Sequence, residues 1–175
     1  MRFVPTRLAG ACVIELEPHA DERGFFARAF CAREFGERSL VTRFLQCSVS
    51  LTTRRGTVRG LHFQQPPAAE VKLVRCTAGA IHDVIVDLRP ESSTYLQHVA
   101  VELSALNRQT LYVPERFAHG FQTLADQSEV FYQMSEFHCP EHASGLRYDD
   151  PRLGIAWPLD VTMISERDRA WPLLA

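Results

Sequence analysis

The chain has 175 residues, of which 46% are hydrophobic and 23% are charged. This is the composition of an ordinary globular protein, so it excludes a disordered or low-complexity chain. The 19 basic and 21 acidic side chains leave a net charge of -2. Proteins that bind nucleic acid or an anionic membrane usually carry a basic excess, so we expect neither partner. The length predicts one domain spanning residues 1–175.

Taken in chain order, the sequence predicts short strands rich in Val, Ile, Phe or Tyr and bounded by turn residues. The segments are 11–16, 72–77, 81–88, 98–103, 110–113, 120–124 and 129–134. Short helical turns are predicted at 34–40, 105–108 and 165–170, the third of which begins with a capping signal, Ser165 followed three residues later by Asp168. Because strands and helices do not alternate, the fold class predicted is all-β, a jelly-roll sandwich or barrel.

We expect neither a membrane span nor a secretion signal in this sequence. No apolar run approaches the roughly 18 residues of a membrane span, and residues 1–10 lack the apolar core of a signal peptide. The five cysteines are odd in number and include no CxxC pair, so we expect neither a disulfide framework nor a zinc site. Buried thiols in a reducing cytoplasm are the expected state.

The segment RRGTVRGLHFQ, residues 54–64, is the first cluster of chemically useful side chains. If its strand is regular, His62 shares a face with Val58 and Gly60, while Arg59 points to the other side. A histidine among apolar neighbours on a strand is more often a core residue than a catalyst. Taken alone, this segment therefore leaves both interpretations open.

A second cluster, PERFAHGF at residues 114–121, places His119 beside a glycine. This predicts a sharp turn that delivers an imidazole to the mouth of a barrel. Histidines on small β-barrels often hold iron, manganese or zinc, but the sequence contains no HxH pair. Only His62 and His119 remain as ligands, which is too few, so we expect no metal.

A metal-free barrel with histidine, lysine, tyrosine and aspartate suits proton transfer. Imidazole has a pKa near neutrality and can abstract a proton beside a ketone. A lysine or a second histidine can stabilise the enolate oxygen, and a buried carboxylate can fix the imidazole tautomer. A tyrosine on the opposite face can return the proton and invert the carbon. The residues permit this mechanism without selecting it.

Seven pieces of the chain, in order between about residues 21 and 172, resemble the dTDP-4-dehydrorhamnose 3,5-epimerases and related nucleotide-sugar epimerases of the cupin class. They are DERGFF at 21–26, RGLHFQ at 59–64, KLVRC at 72–76, DVIVDLR at 83–89, FAHGF at 117–121, Tyr132, and IAWP at 155–158. The resemblance implies a cupin-like jelly roll with a few short helices and an isomerase without cofactor. It also implies a homodimer whose subunits exchange strands.

The resemblance assigns roles to individual residues. It implies that His62 is the general base and that Asp168 is its carboxylate partner. Tyr132 is then the acid on the opposite face of the sugar, and Lys72 stabilises the enolate beside His119. The implied positions that bind a nucleotide-sugar substrate are Arg23, Phe26, Arg28, Gln46, Ser48, Arg59, His119 and Arg167.

Two of these arginines, Arg23 and Arg59, match positions that contact the diphosphate, where guanidinium forks suit paired phosphate oxygens. Arg23 is expected to serve the neighbouring subunit's site. The chain departs from the family pattern at Arg28 and Ser48, where glutamate and asparagine are usual, and at Ala143, near the place of another glutamate. A change from glutamate to arginine replaces an acceptor with donors only, so the nucleotide base is left open.

The predicted function is inversion of C3, C5 or both in a nucleoside-diphosphate 4-keto-6-deoxy sugar through an enolate. Three alternatives stay open. One is a single-carbon epimerase or keto-isomerase acting on a different nucleotide sugar, and another is a metal-dependent barrel enzyme. The third is a barrel that binds a sugar nucleotide without turning it over. Uptake of deuterium at C3 and C5 separates the enzymes from the binding protein.

Overall fold

The computed structural model describes residues 1–174. Within them it has two short helices, α1 (Ala32–Gly36) and α2 (Glu166–Arg169), and thirteen strands. The strands are β1 (Arg2–Pro5), β2 (Cys12–Glu15), β3 (His19–Asp21), β4 (Gly24–Phe26), β5 (Gln46–Thr52), β6 (Val58–Gln64), β7 (Lys72–Ala78), β8 (Ala80–Asp87), β9 (His98–Ser104), β10 (Thr110–Val113), β11 (Phe117–Thr123), β12 (Ser128–Met134) and β13 (Ala143–Gly145).

The strands form two antiparallel sheets and a separate two-stranded ribbon. One sheet has the order β1-β2-β10-β7-β12-β5 and the other has the order β13-β6-β11-β8-β9, while β3 and β4 make the ribbon. Neighbouring strands in the sheets are often far apart in the chain, as expected for a jelly roll. The predicted all-β sandwich with a few short helices is confirmed. No helix within residues 1–174 has the length and hydropathy needed to cross a bilayer.

The core lies between the two sheets and continues onto their outer faces. On β8, Ile81 and Ile85 belong to the central core, whereas Val84 and Val86 pack outward under the C-terminal segment. Burial of each such side chain stabilises the fold by about 1.5–3 kcal/mol. Since side chains alternate along a strand, Asp83 must face the interior between the two isoleucines. That places a carboxylate inside the sandwich.

Helix α1 covers the outer face of the six-stranded sheet with an aromatic cluster. Phe35 is fully buried, and the ring of Phe30 packs edge-on against it at a centroid distance of 4.8 Å. The predicted helical turn at 34–40 is wrong in its bounds, because the helix occupies residues 32–36. Ser39 has φ 57°, and this left-handed conformation cannot continue an α-helix.

The helical turn predicted at 105–108 is also wrong, because this segment is a tight turn between β9 and β10. The Asn107 Oδ1 atom accepts a hydrogen bond from the Ser104 N–H at 3.0 Å, and the Asn107 N–H donates to Ser104 Oγ at 3.1 Å. Asparagine and serine side chains of this kind satisfy the backbone locally and favour turns over helices.

Candidate active site

Two adjoining cavities lie between the sheets, with volumes of about 590 and 400 Å³, and His62, Lys72 and Arg167 belong to the walls of both. The larger cavity is also lined by Arg59, His119, Tyr132 and Asp168. The smaller cavity is also lined by Gln46, Ser48, Glu70, His138 and Ala143. Most of the site residues suggested by the sequence are therefore brought together by the fold.

A β-bulge in β6 brings Arg59 and His62 to the same side of the strand. His62 is paired with His119 of β11, and Arg59 with Phe121, so β6 spans three positions where β11 spans two. The expectation that Arg59 and His62 face opposite sides is wrong, because the extra residue breaks the alternation. Gly60 lies in the bulge at φ +123°, and a Cβ there would meet the backbone of β11 at 2.5 Å.

Helix α2 supplies the carboxylate that binds His62. The Ser165 hydroxyl accepts a hydrogen bond from the Asp168 N–H at 3.0 Å, which confirms the predicted cap. The Asp168 Oδ1 atom lies 2.6 Å from His62 Nε2, and Oδ2 accepts from the Gly60 N–H at 3.2 Å. A carboxylate can only accept, so Nε2 carries the proton and Nδ1 holds the lone pair. This arrangement leaves Nδ1 able to accept a proton.

The surroundings of Asp168 keep it ionised. Burial acts to raise the pKa of its carboxyl group, but the hydrogen bond and charge of His62, together with the Gly60 N–H, outweigh burial and leave that pKa below its ordinary value. An ionised partner stabilises the imidazolium that forms when His62 takes up a proton.

A second histidine–carboxylate pair lies deeper, and its aspartate was missed in the sequence. The His119 Nε2 atom lies 2.8 Å from Asp83 Oδ1, and the two side chains are 5% and 0% exposed. The signals for Asp83 were its place on the inward face of β8 and its position at the start of the DVIVDLR segment. The sharp turn predicted in the cluster at residues 114–121 is present at Glu115 and Arg116, whose φ is 63°, and His119 follows it within β11.

Tyr132 faces the larger cavity from the inner side of β12. Its ring packs edge-on against that of His119 with the centroids 6.1 Å apart. Burial raises the pKa of the Tyr132 hydroxyl well above its usual range. The phenol therefore stays protonated at neutral pH and can act as a proton donor. Ser50 lies on the neighbouring strand, and its side chain lines the same cavity beside Tyr132.

Lys72 is the first residue of β7 and lies between the two cavities. Its Nζ atom lies 3.1 Å from Glu70 Oε1 and donates to the His62 carbonyl oxygen at 3.4 Å. An ammonium group at this position can stabilise negative charge that develops on a bound carbonyl oxygen. Glu70 was not identified from the sequence, because a lone carboxylate two residues before a lysine carries no distinctive signal.

Two guanidinium groups border the larger cavity. Arg59 Nε donates to Thr52 Oγ1 at 2.9 Å, and the guanidinium of Arg167 lies over the ring of Trp171 at 5.5 Å. Both arginines are exposed. Each of these contacts uses only part of the guanidinium group. The other N–H groups can donate to a doubly charged ligand such as a diphosphate.

In the smaller cavity, the Gln46 Oε1 atom accepts a hydrogen bond from the His138 N–H at 2.9 Å. The Gln46 amide nitrogen is therefore left to donate to a ligand. Ser48 and Ala143 also line this cavity, and both are small. Their size leaves room beside the amide for a ring-shaped group.

Three residues expected in the site lie elsewhere in the chain. Arg23 is in the turn of the β3–β4 ribbon and pairs with Asp21 at 2.5 Å. Phe26 ends the ribbon with 74% of its surface exposed, and Arg28 pairs with Glu34 at 3.2 Å. None of the three lines either of the two cavities.

Within residues 1–174, no three or more side chains of His, Cys, Asp or Glu lie close enough together to hold a metal ion. The two histidines of the site each bind one carboxylate instead.

Fold and site together define the class: this is a cupin-like β-sandwich that carries acid–base side chains in the cavity between its sheets. A family model described as dTDP-4-dehydrorhamnose 3,5-epimerase matches residues 5–175. The chain belongs to that family and is therefore an isomerase. The resemblance noted in the sequence is confirmed.

Individual relatives agree with this assignment. The chain is 46% identical to dTDP-4-dehydrorhamnose 3,5-epimerase of Methanothermobacter thermautotrophicus over 97% of its own length and 92% of the relative's. The Bacillus anthracis epimerase with TDP and PPi bound superimposes with a TM-score of 0.95 at 39% identity, covering 99% of both chains. ChmJ, a 3'-monoepimerase from Streptomyces bikiniensis in complex with dTDP-quinovose, gives a TM-score of 0.90 at 30% identity, covering 97% of this chain and 86% of that one.

Proposed function

We propose that this protein inverts C3, C5 or both in a nucleoside-diphosphate 4-keto-6-deoxy sugar, as a step in deoxysugar biosynthesis. The observation that carries the proposal is the contact of 2.6 Å between His62 and Asp168, in the wall of the cavity that Tyr132 also lines. A base and a protonated acid in one cavity are what inversion of a carbon requires. Binding alone has no use for this combination.

His62 starts the reaction. Its Nδ1 atom takes the proton from the carbon beside the C4 ketone, and the C–H electron pair moves onto the ketone oxygen to form an enolate. The Lys72 ammonium stabilises that negative charge, and Asp168 stabilises the imidazolium. Tyr132 then donates its proton to the opposite face of the carbon. Solvent returns a proton to the phenolate and takes one from the imidazolium, which restores the enzyme.

We propose that the nucleotide is bound through its diphosphate by Arg59 and Arg167, which border the larger cavity. The TDP bound to the Bacillus anthracis relative supports a thymidine nucleotide. The base then lies in the smaller cavity near Gln46, Ser48 and Ala143. Because two of these residues differ from the usual pattern, the base preference is best measured directly.

The protein is proposed to work as a homodimer that exchanges strands. The β3–β4 ribbon carries Arg23 and the exposed Phe25 and Phe26, and the edge strand β5 exposes Val49 and Leu51. Apolar surface of this kind on a ribbon and a sheet edge favours contact with another chain. In the dimer, Arg23 reaches the partner's site. The five cysteines are free thiols, which fits the proposed cytoplasmic location, but the expectation that they are buried holds only for Cys12 and Cys76, and Cys47 is exposed.

Proton NMR in heavy water tests the reaction. With dTDP-4-keto-6-deoxyglucose as substrate, we expect the wild type to exchange the C3 and C5 protons for deuterium, and His62→Ala to exchange neither. His98→Ala, on β9, is the matched control and should behave as wild type. Failure of the wild type to exchange either proton with thymidine and other nucleotide sugars would exclude the reaction and favour a protein that only binds.

A second candidate is a single-carbon epimerase, which the similarity to the Streptomyces bikiniensis 3'-monoepimerase supports. The same spectra decide between the two, because a single-carbon enzyme removes one proton signal and leaves the other.

A further inference from the structure

The ion pair between Glu70 and Lys72 is fixed by the backbone between them. Val71 is buried, its N–H donates to Ser135 Oγ at 2.8 Å, and its carbonyl accepts from the Ser135 N–H at 3.0 Å. Side chains two apart in extended chain project to the same side. Glu70 and Lys72 therefore point the same way, and they meet at 3.1 Å with only 11% and 12% of their surfaces exposed.

The Glu70–Lys72 pair lies where the two cavities adjoin. Lys72 belongs to the walls of both, whereas Glu70 lines only the smaller one. Within residues 1–174, Lys72 is the one cationic group within 4 Å of the Glu70 carboxylate. An acidic side chain next to the larger cavity, which is proposed to accept the anionic diphosphate, weakens the binding of that ligand by repulsion. Its presence there needs a compensating role.

We propose that Glu70 is a positioning residue, which holds the Lys72 ammonium where the enolate forms and keeps it from pairing with the phosphates of the substrate. This inference rests on the proposed function. A lysine has a flexible four-carbon stem and a compact charge, so without an anchor it would bind a nearby phosphate in substrate and transition state alike. Such uniform binding tightens the complex but does not accelerate the reaction.

Glu70→Gln tests the proposal, because it removes the charge and keeps the shape. We expect kcat to fall by about 10-fold to 100-fold, the order of effect of a misplaced catalytic group. We expect dTDP, measured by calorimetry, to bind about fivefold more tightly, as for one gained ion pair. Glu91→Gln is the control, since it breaks the Arg116–Glu91 pair elsewhere and changes the net charge equally. It should leave both values as in wild type.

A double-mutant cycle shows whether Glu70 acts through Lys72. In a Lys72→Met background, Glu70→Gln should change kcat by less than about twofold. An equal fall in kcat in both backgrounds would overturn the proposal, and so would an unchanged kcat in the single variant. Weaker binding of dTDP by Glu70→Gln would indicate a merely structural role and would also overturn it, with thermal melting recorded to exclude unfolding. Turnover by the wild type is measured separately, and a failure of the proposed reaction would appear in that measurement. The affinity for dTDP would still test the role of Glu70.

Discussion

Asp168→Asn should abolish most of the activity by reversing the tautomer of His62. In the wild type, one carboxylate oxygen accepts from the Gly60 N–H and the other from His62 Nε2. An asparagine keeps its oxygen on the Gly60 N–H and turns its NH₂ group toward His62. Nε2 then has to accept, so the proton moves to Nδ1, and the lone pair that abstracts the substrate proton is lost.

The size of the effect follows from the geometry. The imidazolium formed in the reaction lies against a carboxylate that is 7% exposed, with a contact of 2.6 Å. Charge centres about 4 Å apart attract by about 4 kcal/mol at an effective dielectric constant of 20, which is roughly a 10³-fold change in rate. The reversed tautomer adds to this loss, so kcat should fall by about 10³-fold to 10⁴-fold.

Deuterium exchange at C3 and C5, followed by NMR, measures this loss, and calorimetry with dTDP checks that the binding site is intact. Asp149→Asn is the matched control, because Asp149 pairs with Arg147 at 2.8 Å on the same C-terminal segment, away from His62. If Asp168→Asn kept more than a tenth of the wild-type kcat with normal dTDP affinity, the assignment of the His62–Asp168 pair as the proton acceptor would be refuted.

Four further outcomes are expected. Tyr132→Phe should still exchange substrate protons but form inverted product at least about 10²-fold more slowly, as judged by the NMR signals of the product. Asp83→Asn should lower the free energy of unfolding in urea by about 1–3 kcal/mol, because it disturbs the buried hydrogen bond between Asp83 and His119. Gly60→Ala should lower the melting temperature and the activity together, because its Cβ would overlap the facing backbone at 2.5 Å. The pKa of Asp168 is lowered by folding. Its contribution to stability should therefore be complete above about pH 4 and be lost as the pH falls through the folded-state pKa. Below that pKa, wild type and Asp168→Asn should have the same free energy of unfolding in urea.

The strands predicted from the sequence were those with strong apolar patterns. Segments such as 81–88 and 129–134 are apolar and close to the observed β8 and β12, because burial selects Val, Ile and Phe there. β5 was not predicted, since its sequence QCSVSLT is half polar and lies at the edge of a sheet. Strands β3, β4 and β13 were not predicted, because each is only three residues long and is too short to show a period.

The residues of the site also differ in whether the sequence could predict them. The motif around His62 could be recognised in the sequence. Its partner Asp168 lies 106 positions further along the chain, and only the resemblance to a family indicated that the two residues are in contact. The side of the strand on which Arg59 lies was mispredicted, because a bulge depends on the partner strand, which a local pattern does not contain. Asp83 and Glu70 were missed because each is one carboxylate whose meaning depends on the cation that the fold places beside it.

The bulge at Gly60 has a consequence for how the substrate is held. It brings Arg59 and His62, three residues apart, into one cavity wall, and the same glycine donates its N–H to Asp168. The proposed diphosphate contact and the proposed base are therefore spaced by a rigid piece of strand rather than by flexible loops. Lys72 pairs with Glu70 on the opposite sheet, so under the proposed mechanism the orientation of the sugar ring between these fixed points decides which carbon is inverted.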